Sequence, residues 1–103
     1  GHMTEEGYIV ELNVEVKRWF REPENRKMYV VRDGDLPFVP QPYSRLADRV
    51  YATPDKGYAG VWFSQNRAET YLRKHKLKGT IVKSRVADTG ERTNDGRRYM
   101  LPV

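Results

Sequence analysis

Apolar and polar positions alternate most strictly between Tyr8 and Phe20, with Val10, Leu12, Val14 and Val16 on one side and Glu11, Asn13, Glu15 and Lys17 on the other. That period of two predicts a strand in a sheet with one wet face. A polar turn at Glu22 to Asn25 and a second apolar run from Lys27 to Arg32 (KMYVVR) predict a hairpin partner, closed by Asp33, Gly34 and Asp35. Pro37, Pro40 and Pro42 then crowd into Leu36 to Tyr43, which rules out a central strand and predicts an extended loop packed by Leu36, Phe38 and Tyr43. Ser44 to Asp48 reads as one helical turn, Arg49 to Ala52 as a short strand, and Thr53 to Gly60 as a turn-rich excursion with Lys56 and Tyr58 at its tip.

The pattern changes period after Phe63. Val61, Trp62 and Phe63 predict a short strand, Ser64 is a good N-cap, and the following residues lack Gly and Pro as far as Gly79, so one main helix is expected over about 64–78. At about 100° per residue, Ala68, Tyr71, Leu72 and His75 share the stripe expected to face the sheet. Arg67, Lys74 and Lys78 line one flank of that stripe, and Glu69, Arg73 and Lys76 take the opposite, solvated side. Thr80 to Val86 alternates again and is β-branched, Ala87 to Gly96 (ADTGERTNDG) reads as a polar loop, and Arg97 to Val103 (RRYMLPV) as a last edge strand pairing with Thr80 to Val86. The expected class is α+β: an antiparallel sheet of four to six strands with the helix packed on one face.

Composition narrows the chemistry. Gly1, His2 and Met3 read as a cloning remnant, leaving residues 4–103 as a single domain. With no cysteine, and with His75 the only histidine outside the remnant, disulfides, thiolate chemistry and Cys- or His-built metal sites are excluded. No cofactor is expected. No apolar run approaches the length of a membrane span and no signal peptide stands before the first strand, so a cytoplasmic location is the default. The net charge of +5 and a pI near 9.6 favour an anionic partner, a nucleic acid or an acidic protein surface, without choosing between them.

Three small constellations bear on catalysis. Glu15, Val16 and Lys17 have the glutamate-x-lysine spacing of metal-dependent nucleases, but the aspartate such enzymes carry earlier in the chain is missing before Glu15. Asp33 and Asp35 flank a glycine as a cation ligand pair would, and equally as a hairpin end does. His75 has no acid or nucleophile at useful spacing and is assigned to the core. Basic residues interleaved with rings give a fuller pattern: Lys17, Arg18 and Arg21 bracket Trp19 and Phe20, Arg67, Lys74 and Lys78 lie beside Tyr71, and Arg97 and Arg98 precede Tyr99. Such clusters suit phosphate contact with base stacking, and they equally fit core rings with solvated neighbours.

The succession KMYVVRDG, a variable loop, FSQNRAETYL and GTIV, covering roughly Lys27 to Val86, resembles small uncharacterised bacteriophage proteins of α+β fold. That resemblance implies an accessory protein acting by binding a host enzyme or a nucleic acid. Tyr29 to Gly34 with Trp62 to Leu72 also resembles the hybrid-binding domain of eukaryotic ribonuclease H and caulimovirus proteins, although the tryptophan that family places between the two blocks is missing here. The expectation is a non-catalytic module that binds nucleic acid through Lys17, Arg18, Arg21, Arg67, Tyr71, Lys74, Lys78, Arg97 and Arg98. The alternative is a protein-interaction module that modulates a host enzyme through Phe38, Tyr43, Lys56 and Tyr58.

Overall fold

The computed structural model describes residues 3–17 and 19–103. Six strands form one antiparallel sheet in the order β3-β4-β2-β1-β5-β6: β1 (Thr4–Val16), β2 (Glu24–Val31), β3 (Ser44–Ala47), β4 (Val50–Thr53), β5 (Gly79–Arg92) and β6 (Arg98–Pro102). One main helix, α1 (Gln65–Lys74), precedes β5, and short 3-10 turns span Asp33–Phe38 and Lys56–Tyr58. The α+β class and the pairing of β1 with β2 are as the alternation predicts, but β1 ends at Val16 rather than Phe20, Trp19 and Phe20 stand in the turn, and Glu24 and Asn25, read as turn, pair with Val16 and Glu15 as the start of β2. No helix among the described residues is long and apolar enough to cross a membrane.

The single wet face expected for β1 does not hold over its first half. Val10 and Leu12 join Met28, Val30, Ala52, Trp62 and Ala68 in one core cluster, while Ile9 joins Tyr29, Ala59, Val61, Val86 and Met100 in a second. Adjacent strand residues point to opposite faces, so Ile9 and Val10, both fully buried, serve different layers. Fully burying side chains of this size is worth about 1.5–3 kcal/mol each. Beyond Leu12 the alternation reappears, with Asn13 and Glu15 exposed between half-buried Val14 and Val16.

Pairing between β1 and β2 stops at Glu11 and Tyr29, and pairing of β1 with β5 continues alone towards Thr4. The gap this leaves beside Tyr8 is filled by the segment around Trp62, whose N–H and C=O exchange hydrogen bonds with Tyr8 at 2.9 and 2.7 Å, while the Gly60 N–H donates to the Val30 carbonyl. Val61 to Phe63 is therefore a wedge held by one bridge, where the sequence predicts a strand. Its alternation sends Val61 into one core cluster and Trp62 into the other.

Four other elements depart from expectation. Ser44 to Asp48 forms edge strand β3, where a helical turn was expected, because Ser44 and Arg45 pair with Ala52 and Tyr51. The proline-rich stretch is a 3-10 turn through Phe38 rather than wholly extended, with a cis Gln41–Pro42 bond beyond it. The helix ends at Lys74: Lys76 adopts the left-handed conformation (φ 54°) and the Leu77 N–H closes back on the Leu72 carbonyl, with Leu72 and Leu77 packed on the same cluster. Lysine thus takes the place usually given to glycine in a C-terminal cap, and Gly79, read as the stop, instead opens β5. The polar stretch after Val86 continues β5 as far as Arg92, leaving only Thr93 to Gly96 as the turn into β6.

Candidate functional site

The wedge sets the position of Arg32. Alternation along β2 puts Arg32 on the side of Val30, and at the strand end its side chain meets the wedge: Nη1 donates to the Val61 carbonyl at 3.0 Å and the guanidinium lies 5.1 Å from the Trp62 ring centroid. Burial lowers its pKa, the charge of Arg97 lowers it further, and Asp35 and Asp95 offset only part of this. A guanidinium stays protonated regardless, so the shift reports first the burial of this charge and second the neighbouring charge of Arg97.

Other basic side chains gather beside it. A hollow of about 340 Å³ is walled by Arg32, Trp62, Phe63, Arg67, Arg92, Arg97 and Arg98, five guanidinium groups without a carboxylate. Arg98 lies 5.4 Å from the Phe63 ring centroid and is held from behind by two hydrogen bonds to Glu5. Arg67 sits in the first turn of α1, its N–H taken by the Ser64 cap, and its side chain has no ion-pair partner among the described residues. A second hollow of about 420 Å³ shares Arg32 and Arg97 and adds Asp33, Gly34, Arg49, Tyr71, Lys74, His75, Asn94 and Asp95.

Arg97 is the post between the two. Its Nη2 donates to Asp35 at 2.8 Å and its Nε to Asp95 at 2.7 Å. The Thr93–Gly96 turn locks against the 3-10 turn through the Asn94 N–H on the Gly34 carbonyl, and Thr93 donates to Asp95. A Cβ at Gly34 would meet the Asp95 carboxylate and force it to shift. Burial raises the Asp35 pKa, and Arg97 and Arg32 pull it back without cancelling the rise. Burial works to lower the pKa of Arg97, yet its bonds to Asp95 and Asp35 leave it raised. At Asp95 the Arg97 hydrogen bond dominates and holds the pKa down to about 2, with Thr93 adding to the effect.

The sign of the Asp95 effect fixes a pH window. Its folded value lies below the ordinary 3.8, so the stability it contributes is complete above about pH 5 and is lost as pH falls towards 2. Asp35 acts in the opposite sense, so the comparison of wild type with Asp95→Asn isolates the contribution. The urea midpoint of the wild type is expected to fall more steeply with acid in that window than that of Asp95→Asn. Parallel curves would contradict the role of Asp95.

Of the basic and aromatic residues singled out in the sequence, Arg67, Tyr71, Lys74, Arg97 and Arg98 converge on the two hollows. Lys78 does not: beyond the helix end it lines a separate depression of about 410 Å³ with Glu11, Asn13 and Thr80. Lys17 and Arg21 flank the β1–β2 turn, where Trp19 and Phe20 are 89% and 99% exposed rather than core. Arg18 lies outside the described residues. Phe38 stacks on Tyr99 at 4.7 Å and Tyr43 sits edge-on to Tyr51, so both rings are engaged within the fold, while Tyr58 is half-buried and Lys56 exposed. His75, assigned to the core, caps α1 half-buried, 4.4 Å from the Tyr71 ring, and lines the second hollow. Asp35 is tied to Arg97 and does not pair with exposed Asp33 as a cation ligand set would.

Arg32, Arg49 and Arg92 were not singled out. Alternation through KMYVVR carried a usable signal for Arg32, since it shares the face of core residues Met28 and Val30. Arg92 was hidden by reading its strand as loop, and Arg49, at φ 57° in the β3–β4 turn, had no signal. No protein-family model, curated protein or solved structure matches this chain.

Proposed function

We propose that this protein is a non-catalytic binding module that holds nucleic acid in the arginine-lined hollows, with α1 resting on the Val10 face of the sheet and presenting Arg67 and Lys74 to the ligand. The observation that carries the reading is the hollow of five guanidinium groups without a carboxylate, one of them half-buried and fixed on Trp62. Guanidinium groups bind phosphate in a bidentate manner and stack on rings, so arginines set against Trp62 and Phe63 suit a phosphate-bearing strand better than a loose lysine patch would. The resemblance to phage accessory proteins fits a small module of this kind working in a host cytoplasm.

Salt dependence tests the reading. If three or more phosphates are neutralised, the logarithm of the single-strand binding constant should fall linearly with the logarithm of salt concentration, with a slope of about −2 or steeper. Salt-independent binding, or none to any strand, would defeat the proposal.

One feature favours the second reading, a module that docks on a host protein. Trp19 and Phe20, 6.1 Å apart, are exposed together at the β1–β2 turn, and exposed aromatic pairs make good interface anchors. Under that reading, Trp19→Ala with Phe20→Ala is expected to cost about 2 kcal/mol or more of partner binding with the melting temperature unchanged. Full retention of a nuclease-resistant partner by the double variant would remove the support this turn gives.

A further inference from the structure

Both hollows are lined by more bases than acids, but only one of them contains carboxylates. The arginine hollow carries no carboxylate, while its neighbour mixes bases with Asp33, Asp95 and the neutral Asn94. A uniform polyanion lying across both would gain more in the first than in the second, where Asp33 and Asp95 offset part of the charge of Arg32, Arg49, Lys74 and Arg97. The pattern suits a ligand with one strongly anionic end and one end rich in hydroxyl and amino groups, for which carboxylates and amides are the natural acceptors.

We propose that the paired hollows hold a single nucleotide unit, its terminal phosphate among Arg32, Arg67, Arg92, Arg97 and Arg98 and its nucleoside in the hollow of Tyr71, Asp33 and Asn94. The inference rests on the nucleic-acid reading and names the part of the strand held: a phosphorylated end rather than its interior. A phosphate monoester carries about −1.5 to −2 charge at neutral pH, more than an internal diester, and Arg32, Arg67 and Arg92, which have no ion-pair partner among the described residues, reward that difference while Arg97 and Arg98 are already paired with carboxylates. The two hollows open to solvent and measure about 340 and 420 Å³.

Two further observations point the same way. Arg32 and Arg97 line both hollows, and both are already fixed, Arg32 by Val61 and Trp62 and Arg97 by Asp35 and Asp95. The join between phosphate and nucleoside compartments is therefore preorganised, and little side-chain freedom is lost on binding. Tyr71, which lines the mixed hollow, is likewise held in place before a ligand enters, its ring packed against Trp62 at 4.9 Å and His75 at 4.4 Å.

The same terminal phosphate chemistry is offered by a free nucleotide and by a strand end. The test measures the full-length protein, by anisotropy, against one short single strand prepared with a 5′-phosphate, a 3′-phosphate or hydroxyls at both ends, followed by competition with a nucleoside triphosphate and with inorganic pyrophosphate. One phosphorylated end is expected to bind at least about tenfold more tightly than the hydroxyl-ended strand, Arg67→Gln to erase that preference with the circular dichroism spectrum unchanged, and the nucleotide to compete better than pyrophosphate. Nucleotide binding with no binding to any strand supports the inference with the free nucleotide as source and overturns the nucleic-acid reading. Equal affinity for all three ends, or pyrophosphate competing as well as the nucleotide, overturns the inference and leaves that reading standing. Failure of every ligand overturns both.

Discussion

Replacing Arg67 and Lys74 together by glutamate is expected to weaken single-strand binding by about a hundredfold at low salt, each reversal contributing roughly 1.4 kcal/mol, and to flatten the salt dependence. Both side chains are exposed, one on each hollow, and neither has an ion-pair partner among the described residues. Each reversal removes an attraction and adds a repulsion beside the remaining arginines. Stability should hold. A glutamate at position 67 stands three residues after the Ser64 cap, where it completes a capping box. That gain offsets the modest cost, about 0.3–1 kcal/mol, of a negative charge in the last turn at position 74. Lys78→Glu is the control, because Lys78 lies with Glu11 and Asn13 away from both hollows, and a change below about twofold is expected. Equal losses from all three positions would mean that net charge, not the hollows, governs binding.

Arg97→Ala is expected to be the most destabilising change at the site, by about 3 kcal/mol. The Asp35 side chain is only 3% exposed and its carboxylate accepts the Arg97 bond at 2.8 Å. Removing the arginine leaves a buried carboxylate without its ion-pair partner, and breaking such a pair costs more than the pair is worth against a neutral replacement. For a domain of this size the melting temperature should fall by about 15 °C. The double variant Arg97→Ala with Asp35→Asn should recover more than half of the loss, because the charge that needed the partner is gone. Chemical denaturation of the four proteins closes the cycle, and a double variant no more stable than Arg97→Ala would show that the cost lies in packing. Because Arg97 also lines both hollows, the rescued double variant should fold and still bind weakly, which separates its structural role from its ligand role.

Much of the local structure is legible in residue order because its causes are local. The pairing of β1 with β2 follows from two neighbouring apolar runs, although the turn between them holds Trp19 and Phe20, and the start of α1 follows from Ser64, whose hydroxyl accepts the Arg67 N–H at 3.1 Å. Where expectation fails, a distant partner overrides local preference. Ser44 to Ala47 pairs with β4, and β5 runs to Arg92 through residues that look like loop because β6 offers backbone partners at Ala87, Asp88 and Arg92. The site divides in the same way. Arg67, Tyr71, Lys74, Arg97 and Arg98 stand out by charge and spacing, whereas Arg32, Arg49 and Arg92 reach the hollows from three separate strand ends and turns that no sequence spacing relates.

Sequence alone determined the class of the fold, the hairpin, the helix start and the excess of positive charge, because strand period, helix capping and composition act within a few residues. Only the tertiary structure decided where that charge is unbalanced. Pairing of β1 with β2 stops at Tyr29, the Val61–Phe63 wedge enters the gap, and the wedge seats Arg32 on Trp62 beside four other arginines while Glu5, Asp35 and Asp95 bind Arg98 and Arg97 from outside the arginine hollow. Which arginines are neutralised and which are left to face a ligand is settled by contacts across up to 93 residues of chain, beyond the reach of any local pattern.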